Sequence, residues 1–201
     1  MRKLVYFIGV SIDGMIAGPG GETDFHPLDP DMVTHVRAEF PETMPAHIRP
    51  LIGMAVDTPN KRYDTVIMGR TTYSIPLAEG VPDPYPHLRQ YVVSRSLTEA
   101  DPAVTLVPGD PLALARQLKA EDGLDIWLCG GADLAGQLLP EIDELVVKSY
   151  PVAAGGGVPM FRDGFGPRAF TPVEVLTFGH GGTITTYRPR VAARISSDAS
   201  R

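Results

Sequence analysis

Short apolar runs that end beside small or polar residues constrain this chain more than any other feature of its sequence. They lie at residues 3–10, 65–68, 90–93, 125–129 and 144–150. Unbroken apolar runs of this length are typical of strands that are covered on both faces of a sheet. The sequence therefore predicts a buried central sheet.

Helical patterns lie between the predicted strands. Residues 31–40 and 110–121 repeat apolar side chains near the helical spacing, and a shorter helix is predicted over 132–139. The second pattern opens with Asp110-Pro111, an N-cap followed by proline at the first helical position. Because strands and helices alternate, we predict a largely parallel sheet with helices on its faces.

The last part of the chain breaks this alternation. Two strands are predicted at 170–178 and 182–188, joined by a glycine-rich turn as in an antiparallel hairpin. We therefore predict an α/β fold with a mostly parallel central sheet and a C-terminal antiparallel hairpin. One domain is expected over residues 1–188, followed by a flexible tail over 189–201. Residues 41–60 are rich in proline and are expected to form a long irregular loop.

Composition excludes several classes of function. The single cysteine, Cys129, cannot form an intramolecular disulfide or a multi-cysteine zinc site, which favours a reducing, cytoplasmic compartment. The net charge of −6 without a basic block argues against a nucleic-acid partner. No apolar stretch reaches the roughly 18–20 residues of a membrane span, and the first apolar run reads as a strand rather than a signal peptide. The five histidines are scattered, so we expect ordinary surface or loop positions for them and no metal site.

The first candidate binding element is the junction Gly69-Arg70-Thr71-Thr72, where a predicted strand meets a short helix. The first N–H groups of a helix have no intrahelical partner and lie at the positive end of its dipole, so they bind phosphate. The Arg70 guanidinium and the two hydroxyls add further donors. A capped helix that carries a surface arginine is the alternative reading.

Two more junctions have a similar character. After Val93, the sequence Ser94-Arg95-Ser96 places two hydroxyls beside an arginine, a composition that suits the 2′-phosphate of NADP, although serine is also common in ordinary turns. At residues 129–134 a strand meets two glycines and then a helix, which lets a pyrophosphate approach bare backbone; a tight turn without ligand is the alternative. The fingerprints G-x-G-x-x-G and G-x-x-x-x-G-K are absent. Carboxyl ends of strands are where open α/β sheets bind ligands.

These three junctions together resemble the dihydrofolate reductase superfamily. Residues 11–17 and 153–161 are more similar to the reductase domain of riboflavin biosynthesis and its stand-alone relatives. The resemblance covers roughly residues 3–188 and implies a three-layer dihydrofolate reductase-like fold. It also implies an extended NADPH along the sheet edge, a cis peptide bond between Gly130 and Gly131, and a homodimer.

The resemblance implies a set of cofactor-binding residues in five segments. Backbone of the first two segments would receive the nicotinamide carboxamide, the third and fourth would hold phosphates, and the last would line the pyrophosphate and the nicotinamide ribose. The residues are Gly9 and Val10; Ile16 and Ala17; Gly69, Arg70, Thr71 and Thr72; Val93, Ser94 and Arg95; and Cys129, Gly130, Gly131, Ala132, Asp133 and Leu134.

The catalytic residue is less well defined. Folate reductases use one buried carboxylate on the first helix to help protonate the pterin, and Asp31 is the nearest match to that position. Asp24 and Asp29 are rivals, and a plain helix N-cap is the alternative role for Asp31.

The substrate end is predicted to include Phe25, Lys148 and Tyr150. Lysine is unusual in a buried apolar run, so Lys148 either faces the pocket and meets an anionic substrate or reaches to an edge of the sheet.

The function predicted from this resemblance is an NADPH-dependent oxidoreductase that transfers hydride to a conjugated C=N or C=O of a small heterocycle. The deaminase that usually accompanies the riboflavin reductase needs a zinc-binding Cys/His set, which this chain lacks. Two alternatives stay open: a nucleotide-binding module of the same fold without catalysis, and a flavin-binding variant.

Overall fold

The computed structural model describes residues 1–162 and 164–190. Its strands, in chain order, are β1 (Leu4–Ser11), β2 (Met15–Ala17), β3 (Tyr63–Gly69), β4 (Arg89–Val93), β5 (Val104–Val107), β6 (Asp125–Gly130), β7 (Glu144–Tyr150), β8 (Val158–Pro159), β9 (Phe170–Thr177) and β10 (Thr183–Pro189). The helices are α1 (Pro30–Glu39), α2 (Arg70–Ala78), α3 (Pro111–Ala120) and α4 (Ala132–Leu138). Single 3₁₀ turns lie at Pro41–Thr43, Pro50–Ile52 and Leu139–Glu141.

Eight strands form one central sheet in the order β5-β4-β3-β6-β1-β7-β10-β9. The six strands from β5 to β7 are parallel, whereas β10 runs antiparallel to both β7 and β9. A separate antiparallel pair joins β2 to β8. The predicted fold class, a mostly parallel sheet with a C-terminal antiparallel hairpin, is confirmed.

Alternate residues of β1 divide the interior into two cores, which makes the fold three-layered. Val5 and Phe7 pack in the core beneath α1, together with Met32 and Val36 of that helix. Leu4 and its alternate neighbours pack instead in the core beneath α3 and α4. Since both faces are covered, the strands need apolar residues at successive positions, which explains their unbroken apolar runs.

The irregular segment predicted over residues 41–60 is held by two buried charged side chains. The Arg49 guanidinium donates to backbone carbonyls at 2.6–3.4 Å; the acceptors are those of Pro41, Met44, Val56 and Thr58. The Glu42 carboxylate accepts three backbone N–H groups at 2.7–3.2 Å; the donors are Lys61, Arg62 and Tyr63. Because Tyr63 begins β3, this segment is anchored at the amino edge of the sheet.

Differences from the sequence prediction are confined to short elements and to the end of the chain. The strands β2, β5 and β8 were not predicted, because two to four residues are too few to show a period. The predicted tail begins too early: β10 extends to Pro189, and the Arg190 amide donates to the Ala169 carbonyl at 2.8 Å. The rest of the predicted tail, residues 191–201, lies outside the described residues.

Among the helices of residues 1–162 and 164–190, none combines the length and the apolar character that a membrane crossing requires.

Candidate functional site

The three predicted junctions lie side by side at the carboxyl edge of the sheet. Gly69 at the end of β3 is in register with Val93 at the end of β4, and Met68 is in register with Gly130 of β6. Since β4, β3 and β6 are adjacent and parallel, their three junctions form one continuous stretch of this edge.

The glycines of the first and third junctions permit a close approach of the two strand ends. A methyl group on Gly69 would lie 3.4 Å from the Gly130 carbonyl oxygen and 3.8 Å from Cβ of Leu134. A methyl group on Gly131 would lie 3.7 Å from Oγ1 of Thr72. The peptide bond between Gly130 and Gly131 is cis, as the resemblance implied. Gly130 has φ of +123°, a conformation that favours glycine, so bare backbone is present where the two strand ends meet.

Helix α2 begins directly at this edge. Gly69 occupies its N-cap, where no side chain of the described chain accepts the first N–H groups. Arg70 and Thr71 are exposed and Thr72 is half-buried. Free N–H groups, the helix dipole and an exposed guanidinium are together able to hold a phosphate.

In the second junction, Ser94 and Arg95 have different surroundings. The Ser94 hydroxyl oxygen accepts the N–H groups of Ser96 at 3.2 Å and Leu97 at 2.9 Å, so it shapes the turn. Arg95 is exposed and its guanidinium is the charged group of this junction. Ser94 therefore has the turn-forming role that the sequence offered as the alternative. Phosphate binding by Ser94 and Arg95 stays a prediction.

Asp13, which is not among the predicted site residues, connects two loops at the same edge through hydrogen bonds. Asp13 accepts hydrogen bonds from the Ser11 hydroxyl at 2.5 Å, the Ala154 N–H at 2.9 Å and the Gly155 N–H at 2.7 Å. These bonds favour the charged form and lower the pKa of Asp13 to about 2. The link places β2, with the predicted residues Ile16 and Ala17, against the glycine-rich loop.

The predicted substrate residues Phe25, Lys148 and Tyr150 also lie together. Lys148 is in register with Gly9, and a methyl group on Gly9 would lie 3.0 Å from the Tyr150 ring and 3.8 Å from Cε of Lys148. The His26 ring lies between two aromatic rings, with its centroid 4.3 Å from that of Phe25 and 4.7 Å from that of Tyr150. His26 is a loop residue, as expected, but it is half-buried in this aromatic cluster, which the sequence prediction did not include.

Lys148 carries the most unusual charge of the site. Strand β7 lies between β1 and β10, so Lys148 is not on an edge strand, and its contact with a substrate stays a prediction. Its Nζ lies 4.5 Å from the centroid of the Phe7 ring. Burial lowers the pKa of Lys148 to about 8, and the neighbouring Cys129 opposes that shift. Burial in turn raises the pKa of Cys129 to about 12, so its side chain is a neutral thiol at physiological pH.

The N-cap of α1 is Asp29 and not Asp31. The Asp29 carboxylate accepts the N–H groups of Asp31 at 3.0 Å, Met32 at 3.2 Å and His180 at 3.0 Å. Burial pushes the pKa of Asp29 upward, but these hydrogen bonds outweigh it and the pKa is lowered. Asp31 is exposed in the first turn, and Asp24 is exposed as well. The catalytic role of Asp31 stays a prediction, without the burial that the resemblance implied.

Two open clefts lie elsewhere on the molecule. One, of about 400 Å³, is lined by Lys3, Arg62 and Asp125 among others at the amino edge of the sheet. The other, of about 410 Å³, lies between α1 and the strands β9 and β10. Neither is lined by a predicted cofactor or substrate residue, so the carboxyl edge remains the candidate site.

Residues 2–184 match the RibD C-terminal domain. The chain belongs to this family. The RibD C-terminal domain family is a reductase family with a dihydrofolate reductase-like fold, and the resemblance read from the sequence is therefore confirmed. Two proteins of Bacillus subtilis, both uncharacterized, are similar over most of their length. YwjB is 32% identical over 81% of this chain and 84% of its own, and YyaP is 30% identical over 81% of each.

Solved structures agree with this assignment. A candidate riboflavin biosynthesis protein from Shewanella sp. PV-4 is 25% identical with a TM-score of 0.69, and the match covers 94% of this chain and 100% of that one. A diaminohydroxyphosphoribosylaminopyrimidine deaminase/5-amino-6-(5-phosphoribosylamino)uracil reductase from Thermotoga maritima is 17% identical with a TM-score of 0.63. That match covers 94% of this chain but 57% of the Thermotoga chain, and it shows the fold alone.

Proposed function

We propose that this protein is an NADPH-dependent reductase that transfers hydride to a conjugated C=N or C=O of a small heterocycle. The observation that carries the proposal is the continuous carboxyl edge, on which three phosphate-type junctions lie next to the half-buried cluster of Phe25, Lys148 and Tyr150. Membership of a reductase family supports the same reaction class.

The residues of this edge fit a phosphorylated dinucleotide. The start of α2, with Arg70, would hold a phosphate, and the bare backbone of Gly130 and Gly131 would accept the pyrophosphate. Arg95 would contact the 2′-phosphate that distinguishes NADPH from NADH. The backbone at Gly9 would orient the nicotinamide beside the substrate cluster.

NADPH, when bound, would supply the hydride, and the protein would position the substrate and exclude water. The Thermotoga neighbour is named as a reductase of an aminouracil, so aminopyrimidines are the first substrates to test.

Titration with NADPH and NADH, followed by nicotinamide fluorescence and by thermal shift, tests the cofactor assignment. We expect tighter binding of NADPH. The Arg95→Met variant should weaken NADPH binding about tenfold, which corresponds to about 1.4 kcal/mol, and leave NADH binding unchanged. The matched control is Arg116→Met, because this exposed arginine of α3 pairs with Glu141 and is not among the residues predicted to bind the cofactor. If neither nucleotide shifts the fluorescence or the melting temperature, the proposal is wrong.

One observation favours a second function, a nucleotide-binding module without catalysis. Asp31, the carboxylate expected to support proton transfer, is exposed. Oxidation of NADPH in the presence of a panel of aminopyrimidines distinguishes the two functions, since a module would bind the cofactor without turnover.

A further inference from the structure

Lys148 differs from the other lysines in having no carboxylate partner. Lys3, Lys61 and Lys119 each form an ion pair with glutamate or aspartate. Within residues 1–162 and 164–190, no ion pair or hydrogen bond involves the Lys148 ammonium group, which lies over the face of the Phe7 ring, 4.5 Å from its centroid. A half-buried cation without an anion is electrostatically unsatisfied, because water solvates it only in part.

The carboxylates of the neighbouring loops and of the start of α1 make other contacts. Asp13 is occupied by the Ser11 hydroxyl and by two backbone N–H groups. Asp29 is occupied by three backbone N–H groups at the start of α1, and Asp31 is exposed there. Among the described residues none of these carboxylates pairs with Lys148, so its ammonium group remains available to an anionic ligand.

The neighbours of Lys148 are flat aromatic rings. Phe25, His26 and Tyr150 form a tilted stack at centroid separations of 4.3 and 4.7 Å, and each of the three is half-buried. Rings at such separations present faces and edges against which another planar ring can pack.

His26 adds a polar group to this stack. Its Nε2 atom is buried and forms no well-aligned hydrogen bond with a described residue, although backbone groups of Met15 and Thr23 lie near the ring. Burial lowers the pKa of His26; the backbone groups of Met15 and Thr23 oppose this shift and the Lys148 cation adds to it, so the pKa stays below its usual value and the imidazole is neutral at physiological pH. A buried ring nitrogen without a partner costs free energy unless a bound molecule provides one.

We propose that the substrate end of the site binds a planar ring that carries an acidic group, with the anion against Lys148 and the ring packed against the stack of Phe25, His26 and Tyr150. Nε2 of His26 provides one hydrogen bond to the ring. The inference deepens the proposed reductase function and rests on it, since it names the substrate class as planar heterocyclic acids. Among aminopyrimidines, it selects those that bear a carboxylate or an equally acidic group.

A pair of aminopyrimidines that differ by one carboxylate tests this directly. The probes are 5-aminoorotate, which is anionic, and 5-aminouracil, which is neutral, titrated calorimetrically into the full chain saturated with NADP⁺. We expect 5-aminoorotate to bind at least about tenfold more tightly than 5-aminouracil, a typical difference for a charge-assisted contact.

Three variants assign that preference to residues. Lys148→Met should abolish it, and Lys148→Arg should retain it in part because the positive charge remains. His26→Phe keeps an aromatic ring without the nitrogen, so it should weaken both probes by a similar factor. The matched control is Lys3→Met at the amino edge, which should change neither affinity.

Equal affinities of the two probes, no binding of either probe, or a preference that survives in Lys148→Met would overturn the inference. NADPH binding is measured for each protein before the probes are added. This measurement separates failure of the charge inference from failure of the proposed reductase function. If the wild-type protein does not bind NADPH, the reductase assignment fails; if it does and the probes bind equally, only the charge assignment fails.

Discussion

Replacing Lys148 by methionine should make the protein more stable at neutral pH, because methionine has a similar shape and carries no charge to desolvate. Burial lowers the pKa of Lys148 from 10.5 to about 8. At 1.36 kcal/mol for each pKa unit, this shift corresponds to a penalty of about 3 kcal/mol for holding the charge in the folded state. The contact with the Phe7 ring returns about 1 kcal/mol. The expected gain in the free energy of unfolding is therefore about 2 kcal/mol, an upper bound because the side chain is only half-buried.

The same shift predicts how the gain depends on pH. Between about pH 8 and pH 10.5 the unfolded chain binds a proton at Lys148 that the folded chain has lost, so the wild-type protein gains stability as the pH rises through this window. The gain in Lys148→Met is therefore full below about pH 8 and disappears as the pH approaches 10.5. The facing groups do not obscure the effect, since Cys129 keeps its proton up to about pH 12 and burial raises the pKa of Tyr150 above its usual 10.0.

Urea unfolding followed by circular dichroism, repeated from about pH 7 to about pH 9.5, measures this difference. Lys119→Met is the matched control: this lysine is also largely buried, but its Nζ lies 2.8 Å from an Asp143 carboxylate oxygen. Removing it leaves a carboxylate unpaired and should lower the stability by about 2 kcal/mol, the opposite sign. If Lys148→Met is no more stable than the wild-type protein at neutral pH, or if its gain does not change with pH, the electrostatic reasoning is wrong.

Three other predictions test the loops around the site and the segment that closes the amino edge. Asp13→Asn should speed amide exchange in the glycine-rich loop near neutral pH. The lowered pKa shows that the charged carboxylate provides the stabilisation, so the difference from wild type should vanish as the pH falls from about 4 to about 2 and Asp13 becomes protonated. Gly157→Ala should lower the free energy of unfolding by about 2 kcal/mol or more, because Gly157 has φ of +138° and a Cβ there would clash with the Ala17 carbonyl. The control is Gly156→Ala, which has open space around it and should change the free energy of unfolding by less than about 0.5 kcal/mol. Glu42→Gln should cost about 2 kcal/mol in the same measurement, because an amide NH₂ would face a backbone donor that the buried carboxylate now accepts; an unchanged stability would contradict that account.

Local patterns in the sequence determined much of the fold. The strand predicted at residues 144–150 coincides with β7, and the helix predicted from Asp110-Pro111 begins one residue later as α3. Both results follow from interactions between residues that are close in the chain, an apolar run in one case and a cap with proline in the other. The cap of α1 shows the limit of that logic: Asp29 and Asp31 are both suited to the role, and Pro30 at the first helical position assigns it to Asp29.

Contacts between residues far apart in the chain decided the character of the site. Asp13 and Gly155 are hydrogen-bonded across 142 positions, and His26 packs against the Tyr150 ring although nothing in the sequence around either residue indicates it. The charge of Lys148 is visible in the sequence, but the absence of a carboxylate beside it among the described residues depends on how β1, β6 and β7 are ordered in the sheet. The sequence by itself therefore determined the elements and the three junctions, since these arise from neighbours along the chain. Only the tertiary structure decided that His26 joins the aromatic rings beside Lys148 and that no described carboxylate pairs with this lysine, because strand order and long-range packing bring these residues together.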